Sequence, residues 1–201
     1  WLPAINIVAE AQENISLRAS ASQVMTRPPL SQLTPGGSVN VFGGTRLVNQ
    51  GNPNLEPIEA DAFDASVEWY FAEGSVLSAG YFYKDVKTYI ATLRTTQAFN
   101  TLGIPDAVLT GTGVLPTDDF TYSRPVNSDG GPLRGIEFNL QAPFSFLSGF
   151  WQNIGLLANY THVTSDITYI VNPALPEGAV GRTAVLPLIN LSEDTANVTI
   201  Y

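Results

Sequence analysis

Histidine occurs once, at His162, and cysteine not at all. A transition-metal site needs several imidazole or thiolate ligands brought together, so a lone His reads as a structural hydrogen-bond partner. Asp118, Asp119 and Asp129 gather carboxylate charge, but their spacing fits no EF-hand loop, and they read as solvated loop charge. The chain contains no Gly-Xaa-Ser-Xaa-Gly elbow and no Gly-Lys-Ser/Thr phosphate loop. Carboxylate pairs of the glycosidase kind are compatible with 18 Asp plus Glu, yet no pair sits in an evident apolar pocket. Asn14, Asn159, Asn190 and Asn197 each open an Asn-Xaa-Ser/Thr triplet. Asn159 and Asn197 fall mid-strand on a crowded polar face, where a glycan has no room, so these matches read as chance. No catalytic, metal or cofactor residue is assigned, and the chain reads as a non-enzyme.

The polar side chains that remain recur at every second position, the period of a strand with two different faces. Ser16, Arg18, Ser20 and Ser22 alternate with Ile15, Leu17, Ala19, Ala21 and Met25, interrupted by Gln23. Asp64, Ser66, Glu68 and Tyr70 alternate with Phe63, Ala65, Val67, Trp69 and Phe71. Glu73-Gly74 then makes a tight turn, and a returning strand from Ser75 to about Thr92 sets Ser78, Gly80 and Lys84 against Leu77, Ala79, Tyr81 and Tyr83. Phe82 is an exception on the polar side. Glu137, Asn139 and Gln141 alternate with Ile136, Phe138, Leu140 and Ala142. Asn159 and Thr161 alternate with Leu156, Ala158 and Tyr160, with Leu157 out of place. Asn197 and Thr199 alternate with Ala196, Val198 and Ile200. Residues 2–9 form a further strand. The candidate functional residues are therefore one polar set: Arg18, Ser20, Asp64, Ser66, Glu68, Lys84, Glu137, Asn139, Asn159 and Asn197, with Ser16 and Ser22 beside them. Arg18 can pair with Asp64 or Glu68 on an adjacent strand.

The 201 residues carry net charge −9, and charged residues make up 13%, about half of the roughly 25% usual in soluble domains. A pI near 4.4 excludes the basic footprint of a nucleic-acid binder. No run approaches the ~18 apolar residues of a membrane helix, but barrel strands carry only an alternating signal. The chain opens on Trp1 without a signal peptide, and its one Met is Met25, so it is expected to be cut from something longer.

These segments give an all-β fold: about seven strands in an antiparallel up-and-down meander, with no substantial helix. Connections alternate in length. Residues 10–13, 73–74 and 143–153 are short; residues 27–60, 93–133 and 165–194 are long. In a meander the three long ones emerge at one end, the asymmetry of a transmembrane barrel with short periplasmic turns and long extracellular loops. Trp1, Trp69 and Trp151 are all expected at the short-turn end with Phe71, Phe144, Phe146 and Phe150, as an aromatic girdle. The long connections, rich in Gly, Pro, Thr and Asn, are the natural place for ligand capture by many weak hydrogen bonds.

Several segments resemble the barrel of TonB-dependent outer-membrane receptors. They are Leu17-Arg-Ala-Ser-Ala-Ser-Gln-Val-Met-Thr-Arg-Pro28, Gly51-Asn-Pro-Asn-Leu-Glu-Pro57, Val67-Glu-Trp-Tyr-Phe71, Phe82-Tyr-Lys-Asp-Val86, Leu133-Arg-Gly-Ile-Glu-Phe138 and Leu156-Leu-Ala-Asn-Tyr-Thr161. The resemblance runs in family order from Leu2-Pro-Ala-Ile-Asn6 to Thr195-Ala-Asn-Val-Thr-Ile-Tyr201, and in style is similar to the subgroup that includes carbohydrate-type importers. It implies about a third of a 22-stranded barrel with a plugged lumen, residues 1–201 being a partial barrel domain without the plug, the energy-coupling box or the remaining strands. By the same resemblance the chain lies in the outer membrane of a Gram-negative bacterium and meets lipid. It reaches the TonB complex through the plug domain, takes part in uptake of a small scarce nutrient (siderophore, vitamin or oligosaccharide), and binds no nucleic acid. The polar set would then face the lumen, and ligand-contacting residues stay unassigned. A secreted soluble all-β binding or adhesion module is the alternative, separable by whether the isolated chain is a soluble monomer.

Overall fold

Each alternating segment is a strand in the computed structural model, which describes residues 1–172 and 182–201. The strands are β1 (Ala4–Gln12), β2 (Ile15–Thr26), β3 (Gly37–Asn40), β4 (Leu47–Gln50), β5 (Ile58–Ala72), β6 (Ser75–Ala98), β7 (Asp119–Pro143), β8 (Gly155–Ser165), β9 (Ile167–Asn172), β10 (Arg182–Leu186) and β11 (Asp194–Ile200). Seven of them form one antiparallel wall in the order β1-β2-β5-β6-β7-β8-β11. These are the seven expected strands. Gly74, at φ 67, closes the β5–β6 reversal in the left-handed region that glycine enters without strain. Among the described residues no further strand pairs with the outer edges of β1 and β11, so the wall is open rather than a closed barrel.

The long connections differ from the sequence reading. Residues 93–133 are mostly strand: β6 has 24 residues and β7 has 25, paired without a register break as far as Ala98↔Asp119. At about 3.3 Å per residue such a strand reaches roughly 80 Å, although about 9–11 residues cross a bilayer. The hairpin therefore stands well clear of the alternating zone. Residues 27–60 hold one α-helical turn (Leu30–Leu33), a 3-10 turn (Phe42–Gly44), β3 and β4, and β4 adds to β7 in parallel through Leu47↔Thr121 and Val48↔Tyr122. Residues 165–194 contain the β9–β10 hairpin, and the middle of that connection lies outside the described residues.

A buried core sits in this outer region, not in the wall. Val48, Phe99 and Phe120 are fully buried and Leu109 nearly so, with Val39, Val41, Leu102, Ile104, Val114 and Tyr122 packed around them. Phe99 and Phe120 meet at 5.0 Å between ring centroids. Two connections read as separate loops are thus one folded cap.

Trp1 is also misplaced by the sequence reading. Ala4 pairs with Ser22, and Gln23 N–H donates to the Pro3 carbonyl, so β1 begins at the long-connection end and Trp1 lies there. A short turn between β1 and β2 forces this. Trp69 and Trp151 do lie at the short-turn end, Trp69 against Phe71 and Trp151 against Phe150.

Candidate functional site

Cross-strand partners in an antiparallel ladder point to the same face, so the register sorts the side chains. One row reads Glu10, Ser16, Glu68, Ser78, Asn139, Asn159, Asn197 across the wall. The next reads Val8, Arg18, Ser66, Gly80, Glu137, Thr161, Thr195. A third reads Asn6, Ser20, Asp64, Phe82, Gly135, Val163, and a fourth brings in Ser22, Ala62 and Lys84. All ten residues of the polar set share this face.

They form a bonded surface. Arg18 donates from Nε to Glu68 Oε1 at 3.2 Å, and Tyr70 donates its hydroxyl proton to Glu68 Oε2 at 2.7 Å. Ser20 donates to Asp64 at 3.0 Å, and Asn197 donates to Asn159 at 3.0 Å. Asn139 reaches Ser78 at 3.4 Å. Arg18 thus pairs with Glu68, while Asp64 is held by Ser20. A concavity of about 580 Å³ opens on this face, and Arg18, Ser20, Asp64, Ser66, Lys84 and Glu137 contribute to its lining. Phe82, the exception to alternation, has a local cause. Its register partner is Gly135, where a Cβ would collide with the Phe82 ring. The missing side chain makes the berth for the aromatic.

The opposite face is apolar and open. Ile5, Ile7, Leu17, Phe63, Val67, Trp69, Leu77, Tyr81, Ile136, Phe138, Val198 and Ile200 are all exposed large apolar residues there, Ile200 at 72%. No layer of the described residues covers them. Toward the long connections the apolar belt stops at polar groups on the same face. Gln23 donates to Asp61 at 3.1 Å, Lys87 pairs with Asp61 at 3.3 Å and also with Asp85. Farther along the wall the boundary is Arg134, then His162 and Asp194. His162 Nδ1 lies 2.9 Å from Asp194 Oδ1, which also accepts from Tyr160 at 2.6 Å. The sole histidine therefore clamps β11 to β8. Gln23, Asp61 and Asp85 share a row, but His162 and Asp194 share the row of Ala65, Tyr81 and Ile136, nearer the short turns. The polar boundary crosses the rows obliquely, the geometry of strands tilted ~45° to a planar slab. Sequence reasoning missed this boundary, although Gln23 breaking an apolar run was its signal.

The Gly51–Pro57 motif staples the cap to the hairpin. Asn52 donates from its amide to Pro125 O at 3.1 Å, and its Oδ1 accepts from Asn54 N–H, forming a local turn. Asn127 accepts from Glu56 N–H at 2.9 Å and donates to Glu56 O at 3.0 Å. Thr88 donates to Pro57 O at 2.7 Å. Leu55 is buried, and a Cβ on Gly51 would strike the carbonyls of Thr34 and Gln32. The motif ends where β5 begins.

Residues 1–201 match the family model described as TonB dependent receptor-like, beta-barrel. No curated protein matches the chain. Among solved structures, the siderophore receptor PirA from Pseudomonas aeruginosa aligns with a TM-score of 0.57 at 19% identity, covering 84% of this chain and 30% of that one. The siderophore receptor PirA from Acinetobacter baumannii covers 100% of this chain and 34% of that one, with a TM-score of 0.54 and 14% identity. A mutant of the ferric enterobactin receptor PfeA from P. aeruginosa, in complex with enterobactin, gives a TM-score of 0.57 at 18% identity, over 84% and 25%. At these identities the likeness is one of fold, and the chain spans about a quarter to a third of those proteins.

Proposed function

Because the chain belongs to the TonB dependent receptor-like β-barrel family, we propose that it forms part of the wall of an outer-membrane receptor for active uptake of a scarce small nutrient. Energy would arrive from the TonB complex through a plug domain elsewhere in the protein. The nutrient classes considered are siderophore, vitamin and oligosaccharide; two of the fold neighbours are named as siderophore receptors and one holds enterobactin.

One observation carries this reading: an uncovered apolar face that ends at a polar boundary oblique to the strands. In hydrocarbon every backbone N–H and C=O needs an internal partner, and a continuous ladder supplies that. The apolar residues then meet lipid, and the boundary from Gln23 to Asp194 lies at headgroup level. The opposite face, with Arg18, Ser20, Asp64, Ser66, Glu68, Lys84, Glu137, Asn139, Asn159 and Asn197, faces a wet lumen. The β6–β7 hairpin and the cap project into the medium, and the Glu73-Gly74 turn lies in the periplasm. No observation favours the soluble module, which would have to leave this face in water.

Topology labelling of the intact receptor in cells tests the proposal. Glycines at the loop tips are poor cysteine sites, since Gly44, Gly74 and Gly113 all have positive φ. Phe42, 89% exposed, and Leu115, 61% exposed, are better. Cysteine at either should react with an impermeant thiol reagent in whole cells. Cysteine at Glu73 should react only after the outer membrane is permeabilised. Labelling of Glu73→Cys in intact cells overturns the orientation.

A further inference from the structure

Beyond the polar boundary the β6–β7 hairpin loses its neighbours in the wall. β5 pairs with β6 no farther than Ala60↔Val86, and β8 with β7 no farther than Leu133↔Ser165. The two strands run on together to Ala98↔Asp119, and β4 joins β7 only at residues 121–123. Residues 87–93 and 124–130 between these points are a two-stranded ribbon. Such a ribbon is marginal in water by itself and needs a packed face. Here both faces are covered, each by a different long connection.

Alternation assigns the faces. Thr88 continues the polar series Ser78, Gly80, Phe82 and Lys84, and Asn127 shares its side as the register partner of Ile90. The first long connection lies here. Thr88 donates to Pro57 O at 2.7 Å and accepts from Glu59 N–H at 3.2 Å, while Asn127 exchanges two hydrogen bonds with the Glu56 backbone. Tyr89 and its register partner Ser128 point the other way, to the side of Asp85 and Lys87. The third connection lies there. Tyr89 meets Tyr169 edge-on with ring centroids 5.9 Å apart, and Ser128 donates to Thr168 O at 2.8 Å. Asp166 N–H bonds to Pro132 O at 2.9 Å, and Ile167, 1% exposed, is buried at the crossing. A Cβ on Gly131 would collide with the Asp166 carbonyl, so the crossing chain lies directly on β7. Within the third connection, Ser165 accepts from Leu188 N–H at 2.8 Å and the Tyr169 hydroxyl from Ile189 N–H at 3.2 Å.

Neighbouring residues of one ribbon thus hold different connections: Thr88 and Tyr89 on β6, Asn127 and Ser128 on β7. If the cover on one face is lost, the ribbon frays, and the other face loses the platform it is bonded to.

We infer that the β6–β7 ribbon couples the first and third long connections, so that they order and loosen together although they lie on opposite faces. A molecule that fixes either connection then raises the order of the other without touching it. This coupling goes beyond the receptor reading, which supplies only which face is outward. Hydrogen exchange on the full receptor in outer-membrane vesicles tests it. Ile167→Ala should speed exchange tenfold or more at residues 167–171, at 88–93 and 124–129, and across the ribbon at 47–56. Asn127→Ala should act from the other side and reach residues 167–171. Ser128→Ala, which removes one hydroxyl and leaves the packing, should act in the same direction with a smaller rise. Residues 61–70 and 156–163 of the wall should stay protected in all three. Exchange confined to the substituted connection and the ribbon overturns the coupling. If Ile167→Ala loses heat-modifiable gel mobility, Asn127→Ala and Ser128→Ala decide alone. An inserted receptor with a protected wall but no coupling loses this inference only, whereas absence from the outer membrane removes the receptor reading itself.

Discussion

Val67 and Ser66 are neighbours in sequence and lie on opposite faces, Val67 between Leu17 and Ala79 and Ser66 between Arg18 and Gly80. A cation on a lipid-facing position near mid-bilayer costs about 2–4 kcal/mol, because it must leave water or thin the membrane. At Ser66 the same cation has Asp64 and Glu68 on its own face. Val67→Arg in the intact receptor should therefore reduce folded barrel far more than Ser66→Arg, read by heat-modifiable mobility or by denaturant unfolding in vesicles. The reverse order would mean a register slipped by one residue, inverting every side-chain assignment. Arg18→Ala should be mild. The Arg18 side chain is 51% exposed in its pair with Glu68, and such pairs contribute less than about 1 kcal/mol. Unfolding midpoints of Arg18→Ala and the unsubstituted receptor should nearly coincide. At this scale the sequence was readable: period two alone put ten named residues on one face. Phe82 was unreadable because its reason, Gly135, stands 53 positions away and becomes a neighbour only through the β6–β7 register.

Strands ended where the sequence has turn chemistry and overran where it does not. Glu73-Gly74 marks a reversal through a positive φ, whereas nothing between Leu93 and Gln97 stops a strand, and Thr92, Thr95 and Thr96 favour one. Alternation fades there because both faces of the hairpin now meet water or cap, so the signal that remained was propensity. The cap was invisible for a related reason. Its core is assembled from Val48, Phe99, Leu109 and Phe120, one from the first connection and three scattered along the second, with no period to detect. Removing a buried aromatic usually costs about 3–5 kcal/mol, and this one supports only the cap. Phe120→Ala should speed hydrogen exchange in residues 37–50 and 99–118 together while the wall strands stay protected. Exchange rising in only one of the two segments would mean the connections are independent loops after all. Gly51→Ala should act in the same direction, since its Cβ meets the backbone carbonyls of Thr34 and Gln32 rather than a movable side chain.

The whole chain has a cap with a core and a wall without one. Stability of the wall cannot come from burial between layers, since large side chains such as Ile7, Phe63, Trp69 and Val198 stay exposed on a face that nothing in the described chain covers. Both edges add to the problem. β1 and β11 each present a row of backbone donors and acceptors unpaired among the described residues, a template for joining another strand. Net charge −9 opposes association, but the charges of the wall lie on its polar face and at the boundary toward the long connections, which leaves the apolar belt itself nearly uncharged. Contiguous apolar patches beyond a few hundred Å² are rare on soluble monomers, and the belt runs across seven strands. The isolated 201-residue chain should therefore self-associate in plain buffer. In detergent micelles its apolar face is covered but its edges are not, so it should give strand-rich oligomers rather than monomers. Light scattering and circular dichroism on the two preparations check this. A monodisperse monomer in plain buffer with one cooperative unfolding transition would mean that the apolar face folds onto itself. The lipid assignment of Val67 and its neighbours would then fall, and the soluble-module reading would take its place.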